Sequence, residues 1–202
     1  VEAFGEGIYL ELNEESLNSW LSSNKSDIQN IVEKQLQSLE TLQKRVNLGI
    51  TEHVVFLLAH SIAHILIRDL TFKSGYSSSA LRERVYCDPE NNRAGILIYT
   101  TDTDTEGTLG GLVDQGRPEL QKSLVENLDT MTSWCSADPV CRETKESGFQ
   151  GVNHASCHCC MLVSETSCGY QNAGLNRLLL NGMGKDYDEP LGFLRYVTGS
   201  AI

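Results

Sequence analysis

The chain has 202 residues, 40% of them hydrophobic and 21% charged, a balance that permits a sizeable core and excludes wholesale disorder. Sixteen basic against 27 acidic residues leave a net charge of −11. That charge disfavours direct docking on a phosphate backbone, because the most basic stretch, Leu81 to Arg84, is diluted by its own Glu83.

The first residues carry neither a basic start nor an apolar run, so no secretory signal is read. The initial Val rather than Met implies a piece of a longer protein. Gly7 to Leu12 reads as a short strand, followed by a small helix carrying Leu17, Trp20 and Leu21. Ser26 has the look of an N-cap with Gln29 three residues on. Ile28, Val32, Gln35, Leu39, Leu42 and Val46 then recur at helical steps, predicting an amphipathic helix of about 20 residues that stops near Gly49.

A central helix is expected from Thr51 to Gly75, apolar almost all round from Val54 to Leu70 and therefore covered on most sides. Its longest apolar run, Val54 to Ile67, is broken by His60 and His64 and falls short of the roughly 20 residues a membrane span needs. Two strands follow, Arg84 to Cys87 and Ala94 to Thr101, joined as a hairpin through the turn Asp88 to Arg93. An acidic stretch leads into Gly107-Thr-Leu-Gly-Gly-Leu112. A further helix after Pro118 carries Leu120, Leu124, Leu128 and Met131, and a short one spans Ala173 to Asn181. The pattern predicts one α+β domain over residues 1–202. Its long helices pack on a small sheet containing a hairpin, with residues 1–50 a helical N-terminal part and a cysteine-rich, zinc-bound C-terminal lobe.

Six of the seven cysteines fall between Cys135 and Cys168. Such density without a secretory signal points to a reducing cytoplasm and to metal rather than disulfides. Cys157 and Cys160 sit one turn apart, so both thiolates can reach one tetrahedral zinc. Cys168 can supply a third ligand and Cys141 the fourth, with Cys135 its rival; Cys159 is expected to point away, and His154 and His158 are weaker candidates where enough thiolates are present. Four thiolates leave no open position, so the expected ion is structural.

Two other constellations are candidates for chemistry. His60 and His64, four apart on the central helix with His53 seven before, match a two-ligand helical zinc spacing, but Ser61 stands where the base of a His-Glu-x-x-His enzyme would be. Asp102, Asp104 and Glu106 could form an acidic Mg²⁺ site facing the Gly107 to Gly111 loop. A metal-dependent hydrolase built on either set is the alternative reading.

Four blocks together resemble a known family. They are Leu57-Leu-Ala-His-Ser-Ile-Ala-His64, Glu83-Arg-Val-Tyr86, Ile98 through Leu112, and Trp134 through Arg177, the last with Cys-His-Cys-Cys160 and Glu-Thr-Ser-Cys168. They are similar to the domain at the C-terminus of DrmB proteins of the DISARM anti-phage system, and to the related MrfA-type zinc-binding domain of DNA-repair helicases. The resemblance, over about residues 50 to 180, implies a cysteine-bound zinc with ligand candidates Cys141, Cys157, Cys160 and Cys168, Cys135 matching a further recurrent position. Cys159 departs from the usual small residue there. It also implies a non-catalytic accessory role beside a helicase-type partner, or against the protein's own N-terminal region. DNA would be reached only indirectly or within a complex, with no membrane contact.

Overall fold

The computed structural model describes residues 5–51, 53–77, 79–100, 111–115, 117, 125, 128, 130, 135–182 and 192–199. It is α+β, as its patterning predicts, with one three-stranded antiparallel sheet among the described residues. Strand β1 (Gly7–Glu11) pairs with β3 (Arg93–Thr100), which pairs in turn with β2 (Leu81–Asp88), giving the order β1-β3-β2. The hairpin is longer at its first strand than predicted, since β2 begins at Leu81 rather than Arg84. Alternation then sorts the faces. Ala94, Ile96, Ile98 and Thr100 are buried on one side, joined by Leu81, Glu83 and Val85. On the other side Tyr9 stacks edgewise on Tyr86 at 6.3 Å, and its ring covers Gly95, where any Cβ would collide with it.

Helix α1 (Glu14–Ser23) starts at Asn13, whose side chain accepts from the Ser16 N–H at 2.8 Å. It buries Leu17 and Trp20, and Trp20 meets Phe193 edge-on at 5.4 Å. Helix α2 (Lys25–Val46) begins one residue before the predicted Ser26 cap. The break falls instead at Asn24, whose side chain turns back to donate to the Trp20 carbonyl. At its far end Asn47 takes the left-handed conformation that closes the helix, two residues ahead of Gly49. The buried stripe is Ile28, Ile31, Val32, Gln35, Leu39 and Leu42.

Helix α3 (Val54–Ser74) is the core of the molecule. His53 rather than Thr51 caps it, its Nδ1 accepting from the Val55 N–H, and Gly75 ends it at φ 72°. The helix packs across β2 and β3. It is long and apolar enough to cross a membrane, yet 83% of its most apolar window is buried within the protein, the behaviour of a core helix.

Past the sheet, regular structure is sparse: α4 (Gly111–Gln115), α5 (Val140–Glu143), a 3₁₀ turn at Phe149–Gly151, α6 (Leu178–Asn181) and α7 (Phe193–Gly199). Buried Glu6 caps α4, accepting from the Leu112 and Val113 N–H groups, and also receives the Tyr76 hydroxyl. Of the helix expected after Pro118, Val125, Leu128 and Thr130 are helical; the rest of it, with Asp102, Asp104, Glu106 and the Gly107 to Gly110 loop, lies outside the described residues. The short helix expected over Ala173–Asn181 is helical only from Leu178.

The cysteine lobe is fastened to α2 by Gln35, 2% exposed. Its Nε2 donates to the Val152 and Leu175 carbonyls at 2.9 and 3.0 Å, and its Oε1 accepts from the Asn176 amide at 2.8 Å. Gln35→Ala is expected to orphan these buried partners and lower stability by about 2–3 kcal/mol, read as a shifted urea midpoint; a midpoint unchanged from wild type would show that the lobe is held by other means.

Candidate metal centre

Four cysteines converge. The sulfurs of Cys135, Cys141, Cys157 and Cys160 all lie within 4.8 Å of one another. The Cys135–Cys157 separation is 3.5 Å, and the Cys141–Cys160 and Cys157–Cys160 separations are 3.7 Å. Ligands about 2.3 Å from a tetrahedral zinc stand about 3.8 Å apart, close to the three separations given, and all four sulfurs lie near enough to share one ion. Both rivals for the fourth place, Cys141 and Cys135, take part.

Cys168 does not. It lies instead with His60, His64 and Glu83, a second group whose donor atoms are also within 4.8 Å of one another. The separation has a local cause. The Glu83 N–H donates to the Ser167 carbonyl at 3.1 Å, drawing the residue before Cys168 onto strand β2 and away from the Cys157 turn. Cys159 is exposed. His154 is turned to the Ile31 carbonyl and His158 is exposed, so neither joins the four thiols.

The four sulfurs are brought together by backbone turns and by buried side chains. Cys157 and Cys160 share one turn, closed by the Cys160 and Met161 N–H groups on the Cys157 carbonyl. Cys141 sits on α5. The chain between folds back through a paired bridge, with Ser147 and Asn153 exchanging N–H···O bonds of 2.8 and 2.9 Å. Arg68 of α3 clamps the turn from outside, its guanidinium donating to the carbonyls of His158, Cys159 and Leu162. Arg177, fully buried, donates to the Ala155 carbonyl and grips the Asp138 carboxylate with both terminal nitrogens.

The electrostatics suit a cation. Burial raises the Cys141 thiol to about 12 and pushes Cys160 up further, although the Arg177 charge nearby pulls both down. Burial also works to raise Cys157, but hydrogen bonds from the Cys135 thiol, the Cys159 backbone and the Cys141 and Cys160 thiols bring it to about 7. A thiolate quartet without an ion is therefore costly, and with zinc it keeps a residual negative charge that Arg177 offsets.

In the second group, His60 Nε2 lies 2.9 Å from Glu83 Oε1 and 3.3 Å from Cys168 Sγ, and His64 Nε2 lies 3.4 Å from the same Glu83 oxygen. Burial would raise the Glu83 carboxyl, yet the two imidazoles hold it well below the carboxylate range. His60 is lowered by burial despite Glu83, and Cys168 is pushed up by burial and by Glu83. The spacing of His60 and His64 was legible in sequence; Glu83 was missed as their partner. The available signal was a lone carboxylate on the apolar face of a strand, between Leu81 and Val85.

The four converging thiols make this lobe a candidate zinc-binding module. Residues 62–161 match the MrfA Zn-binding domain family, and this stretch contains all four clustered thiols. Over 182 residues the chain is 37% identical to the DISARM protein DrmB of Bacillus paralicheniformis (strain ATCC 9945a / NCIMB 11709 / CD-2), a match covering 89% of this chain and 32% of that relative. The chain thus spans about a third of the length of the relative it matches. The resemblance read from the sequence holds, and family match and thiol cluster together support zinc binding.

Metal uptake must displace the protons that burial keeps on Cys141 and Cys160. Loading the stripped protein with zinc at neutral pH is expected to release about two protons or more per ion, and affinity should fall as pH drops. Titration calorimetry in buffers of different ionisation enthalpy measures this; uptake without proton release would contradict the thiol ligand set.

Proposed function

We propose that this chain is a zinc-stabilised, non-catalytic accessory module of a phage-defence protein. It acts in the cytoplasm beside a helicase-type partner, or against the remainder of its own longer protein. The observation that carries the reading is the donor shell: four thiols within 4.8 Å of one another, three of them buried and the fourth partly so, would fill a tetrahedral zinc and leave no position for a substrate or water. The name of the 37% identical relative supports the defence context. A net charge of −11 favours docking on a basic protein surface over direct contact with DNA.

The alternative, a metal-dependent hydrolase, draws support from the convergence of His60 and His64 on Glu83. Against it, the His60, His64 and Glu83 side chains are 0% exposed, so water and substrate have no approach to an ion there. Catalytic zinc needs an open ligand position.

Cys157→Ser is expected to cost the ion bound at the thiol cluster and the cooperative melting of the lobe, as is stripping with a strong chelator, with recovery on adding zinc back. Metal analysis and circular dichroism read both. Metal-dependent turnover of nucleotide or nucleic acid by the purified chain would overturn the non-catalytic assignment.

A further inference from the structure

The second cluster has the makings of a metal site in its own right, starting from the tautomer of His64. Its Nδ1 lies 3.0 Å from the Met161 carbonyl, which can only accept, so Nδ1 carries the proton and Nε2 presents a bare lone pair. That lone pair faces Glu83 Oε1 at 3.4 Å, itself an acceptor. Both His64 Nε2 and Glu83 Oε2 are buried without a hydrogen-bond partner. Two acceptors facing each other in a dry interior are unfavourable unless positive charge stands between them.

The fourth donor is prepared for such a charge. Cys168 Sγ, in a residue 5% exposed, accepts backbone N–H groups from Tyr170 at 3.4 Å and Asn172 at 3.2 Å; these favour a thiolate against burial and the Glu83 charge, which a cation in the site would overcome. Around a tetrahedral zinc, nitrogen and oxygen ligands stand about 3.3 Å apart, and either stands about 3.6 Å from sulfur. The observed 2.9, 3.3 and 3.4 Å separations are within a few tenths of an ångström of these, and the remaining donor pairs lie within 4.8 Å. The His64 Nδ1–H···O=C bond to Met161 is the outer contact that commonly fixes a ligating imidazole.

Charge decides between an ion and a proton. Two neutral imidazoles, one carboxylate and one thiolate together cancel a divalent cation, leaving a buried site with no net charge. An imidazolium would answer the His–Glu83 contact and leave the second carboxylate oxygen unmet.

The geometry points to a second zinc site, formed by His60 Nε2, His64 Nε2, a Glu83 carboxylate oxygen and Cys168 Sγ, independent of the four-cysteine site. Two of its donors, His60 and Cys168, fall outside the residues 62–161 that match the zinc-binding family. Its ligands come from α3, β2 and the loop after Met161, so the ion pins the cysteine lobe to the sheet. With four protein donors, all buried, it is structural.

The test is zinc counting on the purified full chain after dialysis against a weak chelator, with zinc-edge X-ray absorption on the same sample. Two ions per chain sharing five sulfurs are expected, and Cys168→Ser and Cys157→Ser should each remove one. One ion with an all-sulfur shell overturns this proposal and leaves the four-cysteine site standing. One ion with a mixed nitrogen, oxygen and sulfur shell supports it and removes the other. No tightly held zinc removes both. Should either variant fail to fold, the wild-type count and shell still decide.

Discussion

The described part of the molecule is built around the burial of helix α3. A helix apolar almost all round must be covered on most sides, and its few polar atoms must be met where they are covered. The sheet takes one side. On another, Phe56, His60, His64 and Arg68 recur at four-residue steps, one stripe of the helix. Phe56 and His60 each pack against Tyr170, His64 reaches Met161, and Arg68 gathers three carbonyls of the 158–162 turn. Ser61 beside them accepts the Asn176 N–H at 2.8 Å. The cysteine lobe is the lid that α3 requires, and α3 is the rail on which the lobe is assembled.

The lobe needs that help because it makes so little regular structure. Between Cys135 and Gly182 its helices are single turns, so backbone groups that would be satisfied by a ladder must be met singly. Buried amides do this. Asn153 donates to the Asn172 carbonyl and accepts from the Leu175 N–H, while Asn172 pairs with both backbone groups of Val163. Such a network is rigid when complete and costly when any member is missing. Converging thiols add a constraint that does not depend on helix or strand.

Much of this was legible in the chain because period and composition are strong signals. The apolar run from Val54, the stripe from Ile28 to Leu42 and the alternation around Ile96 and Ile98 each dictate one element. Helix ends were less so: Asn24 and Asn47 stand where Ser26 and Gly49 were expected, and α3 starts at Val54 after His53 rather than at Thr51, because side-chain bonds and tight turns between packed helices decide them. The cysteine set was legible in membership but not in partition. Spacing alone cannot tell that Cys168 is carried to strand β2, since that depends on one long-range N–H···O bond from Glu83 to Ser167.

Two residues show what the pattern did offer. Gln35 sits in the buried stripe of α2 and Glu83 in the buried face of β2, each a polar side chain where periodicity demands an apolar one. A buried amide can be satisfied by carbonyls and another amide, and Gln35 is. A buried carboxylate needs charge, and the only basic side chains meeting Glu83 in the described residues are His60 and His64. Their own lone pairs are partly committed toward it, so the imbalance falls on the space the four donors share. The turn from Cys157 to Leu162 borders that space and the thiol quartet alike, contributing Cys157 and Cys160 to one and the Met161 carbonyl to the other. That turn is therefore held from two directions, by the sulfurs it gives to the quartet and by the carbonyl it gives to His64.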